Sequence, residues 1–211
     1  MAEKIRPLNK FQPLVKSLIG LPVALPWKGA GTTIFLELGK LGRLYSKHGH
    51  GRKGKACIAV FWDWRVECSS RVLYGSSNSG PEIERGIGSL RGSTIQQLSI
   101  EGQVPELVVH FSNEQCLRSM VMLTGDPVWT VRLPGKTWIY ARAGALLTGK
   151  GAVKISEHGK AVFALAEQTA ARWGTPSAGP QLGRCSLCQW FIQIDGDGYL
   201  LDYGVCIGQP V

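Results

Sequence analysis

No uninterrupted apolar run in the 211-residue sequence approaches the roughly 18 to 20 residues that a membrane-spanning helix needs. A soluble, cytoplasmic chain with no membrane partner is therefore expected. The N-terminus imitates a secretory leader, with Lys4, Arg6, Lys10 and Lys16 ahead of SLIGLPVAL, but Pro22 and Pro26 interrupt the apolar stretch and no small-x-small cleavage site follows it. Disulfide-framework spacing is also missing. Cys57, Cys68 and Cys116 are scattered through apolar runs, and Cys185, Cys188 and Cys206 cluster near the end, which in a cytosolic chain points to metal before disulfides. Catalytic signatures are missing too. No serine sits in a nucleophile elbow, no cysteine has an evident histidine base, and no Lys-Ser/Thr pair follows Gly29 and Gly31 to make a phosphate loop. Asp195, Asp197 and Asp202 lack the further oxygen ligand and distal glutamate of a calcium loop, so DGDG reads as a hairpin turn. Asp63 and Glu67 resemble a catalytic carboxylate pair, but with Arg65 between them on the same strand face they read as a surface ion pair. The expectation is a protein that is not an enzyme.

Acidic residues are scarce in one region, and there the scarcity has a meaning. Residues 1 to 56 carry eleven Lys and Arg against Glu3 and Glu37, a net +9, whereas residues 57 to 211 carry thirteen of each sign and balance to zero. The densest part is GKLGRLYSKHGHGRKGKAC, with Lys40, Arg43, Lys47, Arg52, Lys53 and Lys55 and the histidines His48 and His50. A positive segment of this kind attracts nucleic-acid phosphates, acidic proteins and anionic headgroups through one long-range field. The same segment also reads as a solvated, Gly-rich connection between two strands, and the paired histidines lack the neighbouring ligands a metal site needs.

The body of the sequence runs from Cys57 to Leu147. In ACIAVFWDWRVE, strand alternation places Ile58, Val60, Trp62, Trp64 and Val66 on one face and Ala59, Phe61, Asp63, Arg65 and Glu67 on the other. Two tryptophans on one face, each able to bury roughly 150 to 250 Å², give other strands a reason to collect over it. RVLYGSS, TIQQLSI, ELVVHF, CLRSMVML, VWTVRL and TWIYAR follow, separated by the turns SNEQ, TGDP and PGKT, in the manner of an antiparallel meander. Ile83, Ile87 and Leu90 recur at helical spacing between Pro81 and Leu90, although Gly86 and Gly88 weaken that helix. Ahead of the sheet, NKFQPLVKSLIG reads as a short amphipathic helix ended by Gly20, LPVALPW as irregular, and TIFLELGKL as the first strand. The composition, 44% hydrophobic and 18% charged with 27 Gly and 11 Pro, suits this class. The expected fold is mainly β (α+β): an antiparallel β-sandwich or roll with an N-terminal helix, one C-terminal helix and a small ribbon-like hairpin.

Three parts are expected: residues 1–150 as the β domain with its helix, 151–176 as a linker and helix, and 177–211 as a C-terminal module. ALLTGKGAVKI reads as a Gly-rich linker, after which Ser156 caps a helix reaching Trp173 with Val162, Leu165, Ala166 and Thr169 on one side. TPSAGPQLG is a second linker. In the module, Cys185 and Cys188 have the C-x-x-C spacing that brings two thiolates to one tetrahedral ion, WFIQI and YLLDYGV form a hairpin, and Cys206 follows. A ribbon repeats the knuckle, but the positions two and three residues after Cys206 hold Gly208 and Gln209. Three readings stay open: zinc on Cys185, Cys188 and Cys206 with a fourth ligand from elsewhere, a ribbon that has lost its metal, and a redox C-x-x-C.

Taken together, IFLELGKL, FWDWRVE with YGSS, LRGSTI, GQVPELVVHFSN, LRSMVM, GDPVWTVRL and TWIYARAGALL, over about residues 33 to 147, resemble a group of uncharacterised bacterial proteins with immunity-protein-like β folds. The ending, CSLCQWF with IDGDGYLLDYGVC, is similar to C-terminal zinc-ribbon-like modules. The resemblance implies a small cytosolic accessory protein of the immunity or defence-associated kind, with no catalytic residues to carry over. The expected function is a non-catalytic binding protein that recognises a protein partner. The alternative is a nucleic-acid-binding accessory factor that uses Lys40 to Lys55 on phosphates and the ribbon as a further contact.

Overall fold

A computed structural model describes residues 4–5, 11–29, 31–42, 52–122, 127–135 and 137–150, the helical positions 157, 160, 161, 164 and 168, and residues 191–193 and 204–206. The chain divides into two compact units, Met1–Ala152 and Val153–Val211. Among the described residues no helix is long and apolar enough to cross a membrane.

The first unit holds two antiparallel sheets. Its elements in chain order are β1 (Lys4–Ile5), α1 (Phe11–Val15) continued by a 3-10 turn (Lys16–Leu18), β2 (Val23–Lys28), β3 (Ile34–Leu38), β4 (Ala56–Val60), β5 (Asp63–Cys68), β6 (Arg71–Gly75), α2 (Gly80–Gly88), β7 (Ile95–Glu101), β8 (Glu106–Phe111), β9 (Gln115–Met120), β10 (Trp129–Arg132), β11 (Thr137–Arg142) and β12 (Ala145–Lys150). One sheet has the order β1-β12-β11-β10-β4-β3-β2 and the other β6-β5-β9-β8-β7. The inner faces share one core, to which the first sheet gives Ile34, Leu36, Leu38, Ile58 and Val60 and the second gives Trp64, Val66, Leu98, Val109 and Leu117. Phe11, Val15 and Leu18 close it from α1 and its 3-10 turn, and Ile83 and Ile87 from α2. This is the mainly β, sandwich-like α+β architecture expected.

Four local expectations are corrected. The tryptophan stretch is two strands, not one: β4 ends at Val60, β5 begins at Asp63, and the chain passes between the sheets through Phe61 and Trp62. Trp62 adopts φ 60° there, a left-handed conformation that costs a large side chain free energy and so hides from strand patterning. Inward alternation is nonetheless kept across the corner, with Ile58, Val60, Trp64 and Val66 all in the core. The supposedly irregular LPVALPW is the edge strand β2, with Pro26 opposite Leu36. A proline lacks an N–H to give, so an edge is the place a sheet tolerates it. ALLTGK is not a linker but β12, paired along its length with β11. The single meander is likewise two meanders of the first sheet, β2-β3-β4 and β10-β11-β12, joined by β4 against β10, with β7-β8-β9 in the second.

α2 forms where the periodicity of Ile83 and Ile87 places it. Its start is fixed because the Ser79 N–H and hydroxyl both donate to the Glu82 carboxylate at 2.9 Å, the acidic half of a capping box. Gly86 is required for packing, since an added Cβ would lie 2.6 Å from the Tyr74 ring on β6. Of the second unit, the described residues are an antiparallel hairpin of β13 (Phe191–Gln193) and β14 (Gly204–Cys206), and Glu157, Lys160, Ala161, Ala164 and Gln168, which are helical and exposed. The apolar side expected for that helix, from Val162 to Trp173, lies outside the described residues.

Candidate functional site

The basic segment joins β3 to β4, and its neck is built from both arms. Lys40 follows β3, while Arg52, Lys53 and Lys55 lead into β4; all four side chains are exposed. Arg43, Lys47, His48 and His50 lie outside the described residues. The arms are tied by the Gly42 N–H donating to the Lys53 carbonyl at 2.8 Å. Gly39 turns with φ +73°, and a Cβ there would meet the Lys55 Cβ at 3.3 Å, so the lysine stem packs across the turn.

Beneath the neck lies a charged anchor that sequence reasoning missed. The register places Glu37, Cys57 and Arg132 in one row across β3, β4 and β10. Glu37 Oε2 accepts from the Gly54 N–H at 2.6 Å and from Arg132 Nη2 at 2.9 Å, and the same Nη2 donates to the Gly54 carbonyl at 3.2 Å. Gly54 is held on both backbone groups. Only glycine fits, because a Cβ would stand 2.5 Å from the Leu38 carbonyl oxygen. Burial, and then the Glu37 carboxylate beside it, pushes the Cys57 thiol well above its ordinary value, so Cys57 is a protonated filler between the two ions. With Glu37 neutralised by Arg132, the neck presents Lys40, Arg52, Lys53 and Lys55 on a fixed backbone.

The second sheet's outer face carries the other polar cluster. Glu67 accepts from Arg65 Nε at 2.9 Å and from Arg118 Nε at 2.6 Å, and Arg118 Nη1 reaches Glu101 at 2.6 Å. The Arg65 hydrogen bond first, then that from Arg118, holds the Glu67 carboxyl below the usual range. This is the expected surface ion pair, extended across strands, and a carboxylate so held is a poor proton acceptor. The register also brings His110 opposite Cys116, with Nε2 3.9 Å from Sγ, a pairing that six residues of sequence separation across a turn did not reveal. Burial raises the Cys116 thiol despite neighbouring Arg118, so the pair does not supply a ready thiolate.

Of the cysteine trio, Cys185 and Cys188 lie outside the described residues. Cys206 ends β14 opposite Phe191, and Cys188 precedes Phe191 by three residues. Among the described residues no group of three or more His, Cys, Asp or Glu is placed to hold a metal, and Cys57, Cys68 and Cys116 are free thiols. Comparison with family models, curated proteins and solved structures finds no match to this chain.

Proposed function

We propose that this chain is a non-catalytic binding protein that recognises an acidic surface of a protein partner through the basic β3–β4 hairpin. The observation that carries the reading is the neck itself: exposed cations on both arms, on a backbone locked at Gly54 by Glu37 and Arg132. Fixing the cations before binding lowers the ordering cost of association, and their field raises the encounter rate with an acidic partner. The resemblance of residues 33–147 to immunity-protein-like folds supports a partner of the toxin or defence-complex kind.

The test is binding of the full chain to polyglutamate and, separately, to random-sequence single- and double-stranded oligonucleotides across a salt series. Saturable binding to polyglutamate is expected at 50 mM salt, weakening steeply by 200 mM, with loss of at least tenfold in affinity when Lys40, Arg52, Lys53 and Lys55 are all changed to Ser. Oligonucleotides bound more tightly than polyglutamate, with a salt slope that falls by about one per cation removed, replace the protein-partner reading with the nucleic-acid one.

We further assign Cys185, Cys188 and Cys206 to a structural zinc ion, supported by the position of Cys206 in the β13–β14 register. Bound zinc would fix the hairpin through thiolate ligation and need supply no chemistry. Metal analysis of the purified chain is expected to give one zinc per molecule, lost in Cys206→Ser; a metal-free wild-type chain with an unchanged hairpin discards the assignment.

A further inference from the structure

β6 is an outermost strand of the second sheet, and its free edge is apolar. Val72 is 59% exposed and Leu73 38%. Soluble proteins usually guard such edges with prolines, charges or a covering element, because unpaired backbone groups accept another strand. Arg71 is the one charged residue in RVLYG, and no proline is present. The register shift opposite Val66 and Glu67 bends the strand without covering it. Of β6's backbone groups only those of Gly75 bond beyond β5 among the described residues, within the local Gly75–Asn78 turn.

On the face of the second sheet beside β6 lies an open groove of about 320 Å³, lined by Val72 and Gly75 of β6, Asp63 and Arg65 of β5 and Met120 at the end of β9, together with Met122 and the turn that follows β6. Its exposed lining is mostly apolar, with Met122 70% exposed, and Ser76, Ser77 and Asn78 add a polar rim. Its two charged groups differ in availability. Arg65 is committed to Glu67 at 2.9 Å and lies 3.8 Å from the Met120 sulfur. The Asp63 carboxylate makes no side-chain hydrogen bond or ion pair among the described residues. The face as a whole has Asp63, Glu67, Glu101 and Glu106 against Arg65 and Arg118, an excess of negative charge. An aliphatic stem ending in a cation suits such a groove, with the stem against its apolar lining and the head toward Asp63.

We propose that β6 and the Asp63 groove form a strand-addition site for an extended polypeptide segment that carries a lysine or arginine. The edge supplies main-chain hydrogen bonds, and the groove selects the side chain, a division of labour common to β-augmentation. The site lies on the sheet that does not carry the basic hairpin and recognises the opposite charge, so it stands or falls separately from the function proposed above.

The experiment is backbone amide hydrogen exchange on the full chain with two probes, an acetylated eight-residue peptide alternating lysine and valine and its glutamate–valine counterpart, each at millimolar concentration. The lysine–valine peptide is expected to slow exchange at Arg71 to Tyr74 at least tenfold, and the glutamate–valine peptide to leave it unchanged. Asp63→Asn is expected to weaken the lysine–valine peptide at least threefold with unaltered thermal unfolding, and Val72→Lys to abolish the protection. No slowing with either peptide, equal slowing with both, or protection that grows with protein concentration alone overturns the proposal, the last by making a second copy of the chain the occupant.

Discussion

Glu37→Ala is expected to destabilise the protein by roughly 3 kcal/mol, the lower end of what breaking one side of a buried ion pair costs. The side chains of Arg132 and Glu37 are only 16% and 7% exposed, so little water replaces what is removed. The loss has two parts. The Gly54 N–H, bonded to Oε2 at 2.6 Å, is left buried without an acceptor, and Arg132 keeps only the Gly54 carbonyl at 3.2 Å. Glu37→Gln keeps an oxygen for the Gly54 N–H but removes the charge, and is expected to fall between the wild type and Glu37→Ala. The double variant Glu37→Leu with Arg132→Met removes both charges and is expected to be more stable than Glu37→Ala but less stable than the wild type, because an apolar pair avoids the desolvation penalty of the ions while both backbone groups of Gly54 lose their partners. Urea unfolding with all four proteins checks the order. A Glu37→Ala protein within about 0.5 kcal/mol of wild type, the range of ordinary surface changes, means that the anchor contributes nothing.

The double variant also separates stability from geometry. If it remains folded yet binds polyglutamate more weakly, the anchor serves to hold Gly54 and the neck in one conformation, since none of the exposed cations has been touched. Unchanged binding assigns recognition to the cations alone.

How much of this could be read in the sequence differs by element. Strands such as ELVVHF and TWIYAR are legible because they are short runs rich in β-branched, aliphatic and aromatic residues bounded by turn-forming residues. β2 was not, since Pro22 and Pro26 are read as breakers until it is known that the strand lies at an edge. β12 was not, since Gly149 and the flanking Gly144 and Gly151 look like linker residues until β11 is beside the strand. The basic cluster was legible as composition, but the anchor beneath it depends on register: Glu37 and Arg132 are 95 residues apart, and only the β3-β4-β10 alignment makes them neighbours. The available signal was a lone carboxylate inside IFLEL and a lone guanidinium inside VWTVRL. Each is costly in an apolar strand unless it meets the other.

The two tryptophans give the sharpest test of the corner between the sheets, because alternation alone treats them as equals. Trp64 is 2% exposed, donates Nε1–H to the Thr32 carbonyl at 2.7 Å and meets the Tyr74 ring edge-on at 6.3 Å. Trp64→Ala is expected to cost about 4 kcal/mol, as large core truncations do, and Trp64→Gly more, since glycine adds strand flexibility to the cavity. At half-buried Trp62 the order reverses. The φ of 60° strains any residue with a Cβ and suits glycine, so Trp62→Gly is expected to be less destabilising than Trp62→Ala, and both milder than Trp64→Ala. Thermal or urea unfolding of the four variants reads this directly. If alanine is tolerated better than glycine at both positions, the left-handed backbone at Trp62 carries no strain that a Cβ feels.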